Sequence, residues 1–314
     1  MNRRDFLHTS ASVATLATAA TLTAQTPPQP QPAQTPPQPG QSQAGQPQLG
    51  QPPRPRRFRL GLVTYNLAAS WDLPTILRVS RALDIAAVEC RTTHRHGVEP
   101  TLNAEERRRV RGQFAEAGVV FWGCGTVCEF HSPDRAELDR QIETCRRFVQ
   151  LVADLGGRGV KVRPNALPAG VPPERTLEQI GQALRTCGQA AADAGVEIWL
   201  EVHGPRTQEP ANIRTIMQVC DHRSVGITWN SNPTDVRNGS VAESYAMLRS
   251  WIKSCHINEL YRPTYPYREL FRLLREDGYD RYTLIEVGRA MPDVASSEEL
   301  LRYYSALWNE LSRA

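Results

Sequence analysis

None of the seven cysteines is spaced as CxxC, which removes the usual thiolate metal motifs and dithiol redox motifs. The odd count also excludes a complete disulfide framework. Cys90, Cys124 and Cys255 sit in apolar runs and read as packed thiols. Cys124 and Cys128 are near enough in sequence to pair, but are read as free. No apolar run reaches the roughly 20 residues of a membrane-spanning helix. The strongest N-terminal run, 11–22, is short and rich in Ala and Thr. Net charge is scarce as well. The formal +4 arises in residues 1–57, which hold five of the 37 basic and one of the 33 acidic residues. The remaining chain carries 32 of each, so nothing builds a basic footprint for nucleic acid.

The N-terminal segment is unlike the rest. Residues 1–24 open with Asn2-Arg3-Arg4-Asp5-Phe6-Leu7 before the mild apolar run. Adjacent arginines followed by Phe-Leu resemble a twin-arginine export signal, with a cut expected after Ala24. An ordinary secretory signal or an uncleaved anchor is the alternative. Residues 25–57 contain eleven Pro and ten Gln, with TPPQP at 26–30 and again at 35–39. Such a stretch has little apolar surface to bury and is expected to be a disordered, semi-rigid spacer. These features predict a periplasmic or secreted protein with no stable membrane span after cleavage. They also predict thiols that stay reduced, because twin-arginine cargo folds before export.

From residue 58 onward, apolar runs of strand length alternate with amphipathic stretches. Strands are expected at 59–66, 85–91, 119–125, 159–164, 197–203, 224–230, 254–260 and 282–288. Helices are expected near 72–83, 104–117, 134–155, 173–194, 209–220, 240–252, 266–277 and 296–313. Asp134, Ser240 and Ser296 are suited to start helices, and Gly118, Gly195 and Gly278 to end them. Eight of each in about 250 residues predicts an α/β fold, a (β/α)8 TIM barrel over 58–314.

Strand alternation then sorts the faces. Ile198, Leu200 and Val202 point to the helices, leaving Trp199, Glu201 and His203 inside. By the same rule Thr228, Asn230, His256, Asn258 and Glu286 point inward, as do Glu89, Arg91, Lys161 and Arg163. Burying so many polar groups is costly unless they pair or hold an ion. The C-terminal rim of this fold is where active sites lie. A purely structural network of Glu–Arg and Glu–Lys pairs is the alternative.

At these residues the chain resembles the xylose-isomerase-like TIM-barrel superfamily, the sugar phosphate isomerase/epimerase group. Glu201-Val-His203-Gly204 is similar to its Glu-x-His-Gly turn, and His256-Ile-Asn258-Glu259 to its strand-seven motif. The resemblance spans 58–314 and implies a divalent metal (Mn, Mg or Zn) held by Glu201, Asn230, His256 and Glu286. Asn230 departs from the family's Asp, and Pro233 stands where a His is common. A neutral amide still offers an oxygen, but one negative charge is lost; Asn232 is an alternative donor.

The resemblance implies proton abstraction next to a carbonyl of a sugar or keto-sugar, with Glu201 and Glu286 as the catalytic pair. His203, Lys161, Arg163, Glu89 and Asn258 are the expected substrate contacts. For Lys161 and Arg163, internal pairing is equally open. The expected activity is therefore a metal-dependent isomerase or epimerase. A lyase or dehydratase on an oxidised glycoside or inositol-like ketone is the runner-up, and a non-catalytic exported sugar-binding barrel the third reading. A DNA-repair endonuclease shares the fold but calls for a His-rich zinc site, which the seven histidines here do not supply. Expected partners are a small-molecule sugar, the twin-arginine machinery and, since such barrels often pair, a second copy. Trp71, Trp122, Tyr65 and Tyr261 are candidate sugar-stacking rings, with core or rim packing preferred for each. The small residues Gly123-Cys124-Gly125 are expected to leave room for substrate.

Overall fold

The computed structural model describes residues 55–313. The expected signal and most of the expected spacer lie outside the described residues.

The elements follow the hydrophobic period closely. In chain order they are β1 (Arg59–Val63), α1 (Leu73–Ala82), β2 (Ala87–Arg91), α2 (Ala104–Ala117), β3 (Val120–Glu129), α3 (Arg135–Leu155), β4 (Gly159–Arg163) and α4 (Pro173–Asp193). There follow β5 (Glu197–Glu201), α5 (Pro210–Cys220), β6 (Val225–Asn230), α6 (Ala242–Leu248), β7 (Ile252–Ile257), α7 (Tyr267–Glu276), β8 (Tyr282–Ile285) and α8 (Val294–Arg313). All strand pairings are parallel, and β1 closes on β8, giving a complete (β/α)8 barrel.

Some boundaries differ from the sequence expectation. β3 runs on to Glu129, while β5, β7 and β8 stop early. His203, Asn258 and Glu286 therefore stand just past their strands, in the loops of the C-terminal rim. Asp134 caps α3 as expected. Ser296 does not cap α8: its own N–H is taken by Asp293 Oδ1 at 2.7 Å, so the acidic side chain three residues earlier wins. Ser240 sits one residue before the N-cap of α6, yet its hydroxyl accepts from Ala242 N. Arg56, placed by sequence in the spacer, lies 4.1 Å from the centre of the Trp308 ring and donates to Asn309 and Ser312 of α8. Packing thus begins before Phe58.

The core has two parts. Outward strand residues such as Ile198, Leu200, Val225, Ile227, Cys255 and Ile257 meet the helices in the main apolar layer. Inside the barrel, Val63, Ala87, Trp122, Trp199 and Leu284 form a separate plug. Trp122 stacks on Trp199 with ring centres 4.9 Å apart and meets Tyr282 edge-on. Gly159 is required here, because a β-carbon would sit 2.4 Å from the Trp199 ring. Two residues above Trp199 and Leu284, on the same strand face, come Glu201 and Glu286. The plug is the floor on which the polar cluster stands.

All seven cysteines are buried free thiols, as read from sequence. No helix among the described residues is long and apolar enough to cross a membrane.

Candidate active site at the barrel mouth

His256 is the centre of the cluster, with no exposed surface. Its strand end is fixed from outside by Tyr304 of α8, whose hydroxyl donates to the carbonyls of Ile257 and Asn258. The ring's Nε2 lies 3.2 Å from Glu89 Oε2. Its Nδ1 faces the cavity side, 3.4 Å from Glu286 Oε1 and 3.7 Å from Glu201 Oε1. Those are ion-pair separations without hydrogen-bond geometry, and this buried Nδ1 has no hydrogen-bond partner. Burial works against charge on the ring, but Glu89 and Glu286 outweigh it and hold the imidazole well above its usual range.

Glu201 is almost fully buried. Lys161, one of two lysines in the chain, donates from Nζ to Glu201 Oε2 at 2.7 Å. Burial alone would raise this carboxyl's pKa; the Lys161 ammonium beside it reverses that and holds it well below the usual carboxylate range. Asn230 turns its amide nitrogen to Glu201 Oε1 at 3.4 Å, and its oxygen accepts from Asn258 Nδ2 at 3.5 Å. Amide orientation follows from the surrounding hydrogen bonds, and a flip would present the oxygen to the cluster. Asn232, the alternative donor, has its amide nitrogen committed to the Val202 carbonyl.

The structure therefore brings together Glu201, His256, Glu286, Lys161 and Asn230, and separates others. Glu89 has no exposed surface and lies against His256 Nε2, so it orients the imidazole from beneath instead of meeting substrate. Arg163 lines the mouth but spends its guanidinium on Glu129 at the end of β3. His203 lines the mouth with Nδ1 buried and unpartnered. Its turn needs Gly204, which has φ +91° and where a β-carbon would lie 2.1 Å from the Asn165 carbonyl oxygen. Asn258 bridges Asn230 and Ser231.

The cavity above the cluster has a volume of about 250 Å3 and is lined by Arg91 and Gln208 together with Lys161, Arg163, Glu201, His203, Asn230, Asn232 and Glu286. Tyr65 also lines it, with the Arg91 guanidinium 5.4 Å from its ring centre. Trp71 and Trp122 are core residues, the second in the barrel floor. Tyr261 is exposed and accepts from Arg289. Nor do Gly123 and Gly125 leave space: β-carbons there would strike the Gly159 carbonyl and the Glu89 carboxylate. Sequence reading missed Gln208, in a loop without periodicity, and Asp235, whose burial depends on Tyr265 covering it. A groove of about 530 Å3 between α3 and α4 lies away from this cluster.

The donors suit a divalent cation. One ligand atom each from Glu201, His256 and Glu286 lies within 4.8 Å of the others. Two carboxylate oxygens converging on a buried ring nitrogen that lacks a hydrogen bond is an arrangement a hard cation satisfies. Glu89 behind the ring completes the carboxylate–histidine pairing that orients metal-binding imidazoles.

A closed eight-stranded barrel with a carboxylate–imidazole cluster at its C-terminal mouth defines the class. The chain belongs to the family described as xylose isomerase-like TIM barrel, whose sequence profile matches residues 77–307. No curated protein matches the sequence closely enough to count as a relative. Among solved structures, D-psicose 3-epimerase from Clostridium cellulolyticum H10 is similar over 82% of this chain and 100% of its own, with TM-score 0.68 and 14% identity. The 3-keto-D-glucoside 4-epimerase of E. coli matches over 79% of this chain and 99% of its own, with TM-score 0.66 and 17% identity. An L-ribulose 3-epimerase matches over 82% and 98%, with TM-score 0.62 and 17% identity. At such identities the likeness establishes the fold.

Proposed function

We propose that this chain is a metal-dependent isomerase or epimerase acting on a keto-sugar by proton transfer next to the carbonyl. The observation that carries the reading is the convergence of Glu201 and Glu286 on the unpartnered Nδ1 of His256. The epimerase names of the structural neighbours support it. Glu201, His256 and Glu286, with Asn230 after an amide flip, would hold the cation. When bound, the cation would polarise the substrate carbonyl and stabilise negative charge developing on its oxygen.

The protein's own groups do the rest. Glu201, kept ionised by Lys161, is ready to receive the proton on one face of the sugar. Glu286, partly open to the cavity, is placed to return a proton on the other. His203, whose side chain lines the cavity, is placed to contact a substrate hydroxyl. The floor of tryptophans excludes water from below.

A second reading rests on the same carboxylate. Lys161 and Asn230 already satisfy both oxygens of Glu201, which favours a sugar-binding barrel without catalysis. One experiment separates them: elemental analysis of the purified protein after Mn2+ exposure, with Glu286→Gln as control, followed by deuterium exchange into keto-sugars. About one equivalent of metal, lost in the control, together with exchange at the α-carbon supports the enzyme. Sugar binding with neither metal nor exchange would install the binding protein instead. The proposal further takes residues 58–314, together with the Arg56 anchor on α8, as the active unit and the Arg3-Arg4 segment as its route out of the cytoplasm, which favours an unphosphorylated sugar.

A further inference from the structure

A second cavity of about 410 Å3 opens at the same rim, between the loops that follow β6 and β7. It is larger than the one above the cluster, and Asn232 lines both. Asn258, on its wall, is hydrogen-bonded to Asn230 of the cluster. The two spaces therefore adjoin at the rim and share Asn232.

The lining has a definite chemical character. Tyr265 and Tyr267, both largely buried, border it with the small aromatic surface they leave open; Asn232 and Asn258 supply amides, Thr264 a hydroxyl, Glu259 a carboxylate, and Pro233 and Val236 apolar surface. Arg262 stands at the edge with its side chain 63% exposed and one nitrogen 3.6 Å from Glu259. Aromatic surface combined with short polar side chains of both donor and acceptor type suits a polyhydroxylated ring.

The wall is also held in shape. The turn Pro233–Asp235 is closed by Asp235 Oδ2, which accepts from Asn232 N at 2.9 Å and from the Tyr265 hydroxyl at 3.1 Å. The Tyr265 hydroxyl in turn accepts from Trp229 Nε1 at 3.0 Å. A wall fixed before binding loses little entropy when a ligand arrives.

We propose that this second cavity is the subsite for a glycosyl unit attached to the reacting sugar, so that the substrate is a keto-sugar glycoside of disaccharide size. The inference rests on the sugar reading of the mouth. It is tested by calorimetry on the full chain with D-fructose and with glucosyl-fructoses linked at O3, O5 and O6. At least one disaccharide is expected to bind about tenfold or more tightly than D-fructose. Thr264→Trp, which fills the second cavity from an exposed loop, is expected to abolish that gain and leave D-fructose binding unchanged. Arg262→Ala, at an exposed position, is expected to reduce the gain without disturbing the fold. D-fructose binding with no disaccharide advantage, or an advantage that survives Thr264→Trp, overturns the subsite alone. Failure to bind any of these sugars overturns the sugar reading of the mouth, and the subsite with it.

Discussion

The ammonium of Lys161 lies 2.7 Å from Glu201 Oε2, and both side chains are almost completely buried. Lys161 is the nearer of two cationic neighbours of Glu201, the other being His256 at 3.7 Å. Glu201 is the carboxylate at the end of β5 that the family resemblance would give to a metal, so a built-in cation and a bound one share a single group.

Removing the ammonium leaves Glu201 buried with only the more distant His256 ring to offset its charge. Lys161→Met is expected to destabilise the fold by about 3–5 kcal/mol at neutral pH. The sign follows from the depressed pKa of Glu201. Its stabilising contribution is present above the unfolded carboxylate range and is lost as pH falls through the lower folded value. The variant lacks that contribution, so the gap to wild type should close in acid. Urea denaturation at pH 7 and pH 3 measures it; a gap that widens in acid would contradict the pairing.

Glu89 holds the far side of the His256 ring. Glu89→Gln is expected to lower Mn2+ affinity by about 10–100-fold, as loss of an orienting carboxylate behind a ligand does. Titration calorimetry with Mn2+ provides the readout. Unchanged affinity would mean that the imidazole is oriented by packing alone.

Glu286 has the more open of the two carboxylates that converge on His256. Glu286→Gln is expected to cost at least about 10²–10⁴-fold in α-proton exchange with a bound keto-sugar. Thermal stability should move little, since the side chain lies at the rim. NMR detection of deuterium uptake follows the reaction, and exchange at the wild-type rate would remove Glu286 from the chemistry.

Asp235 is buried without a cation, and burial pushes its carboxyl up to about 8 against the acceptor bonds it makes to Asn232 and Tyr265. A raised carboxyl contributes most below its unfolded pKa and loses that contribution as pH rises through the folded value. Asp235→Asn keeps an acceptor oxygen and has no charge to bury. The variant should therefore gain stability relative to wild type as pH rises from about 4 to about 8. Denaturation at several pH values tests this, and a constant difference would show that Asp235 does not titrate in that window.

The period of the sequence was enough to count the elements and assign the faces. Outward Ile198, Leu200 and Val202 and inward Trp199 and Glu201 alternate as the pleat requires. It was not enough to state which inward groups touch. Glu89 and His256 are 167 residues apart and meet only because the barrel closes. Lys161 pairs in register with Trp199, two residues short of Glu201, and its long side chain reaches up to the carboxylate. That offset depends on strand stagger, which composition does not encode. Asp235 reads in sequence as an ordinary loop acid after Asn-Pro-Thr, and becomes buried only when Tyr265 from the next β/α loop covers it. The cap of α8 was misplaced for a simpler reason: Asp293 and Ser296 both suit helix starts, and the charged acceptor, three residues earlier, prevailed.

The stacked Trp122 and Trp199 seal the barrel from below. The mouth is thus a well closed at its base and entered from the rim. Whatever enters must leave against incoming traffic, and water displaced by a ligand has the same one exit. A product lingering there shuts out the next substrate molecule, so product inhibition of this barrel is expected to be competitive in form.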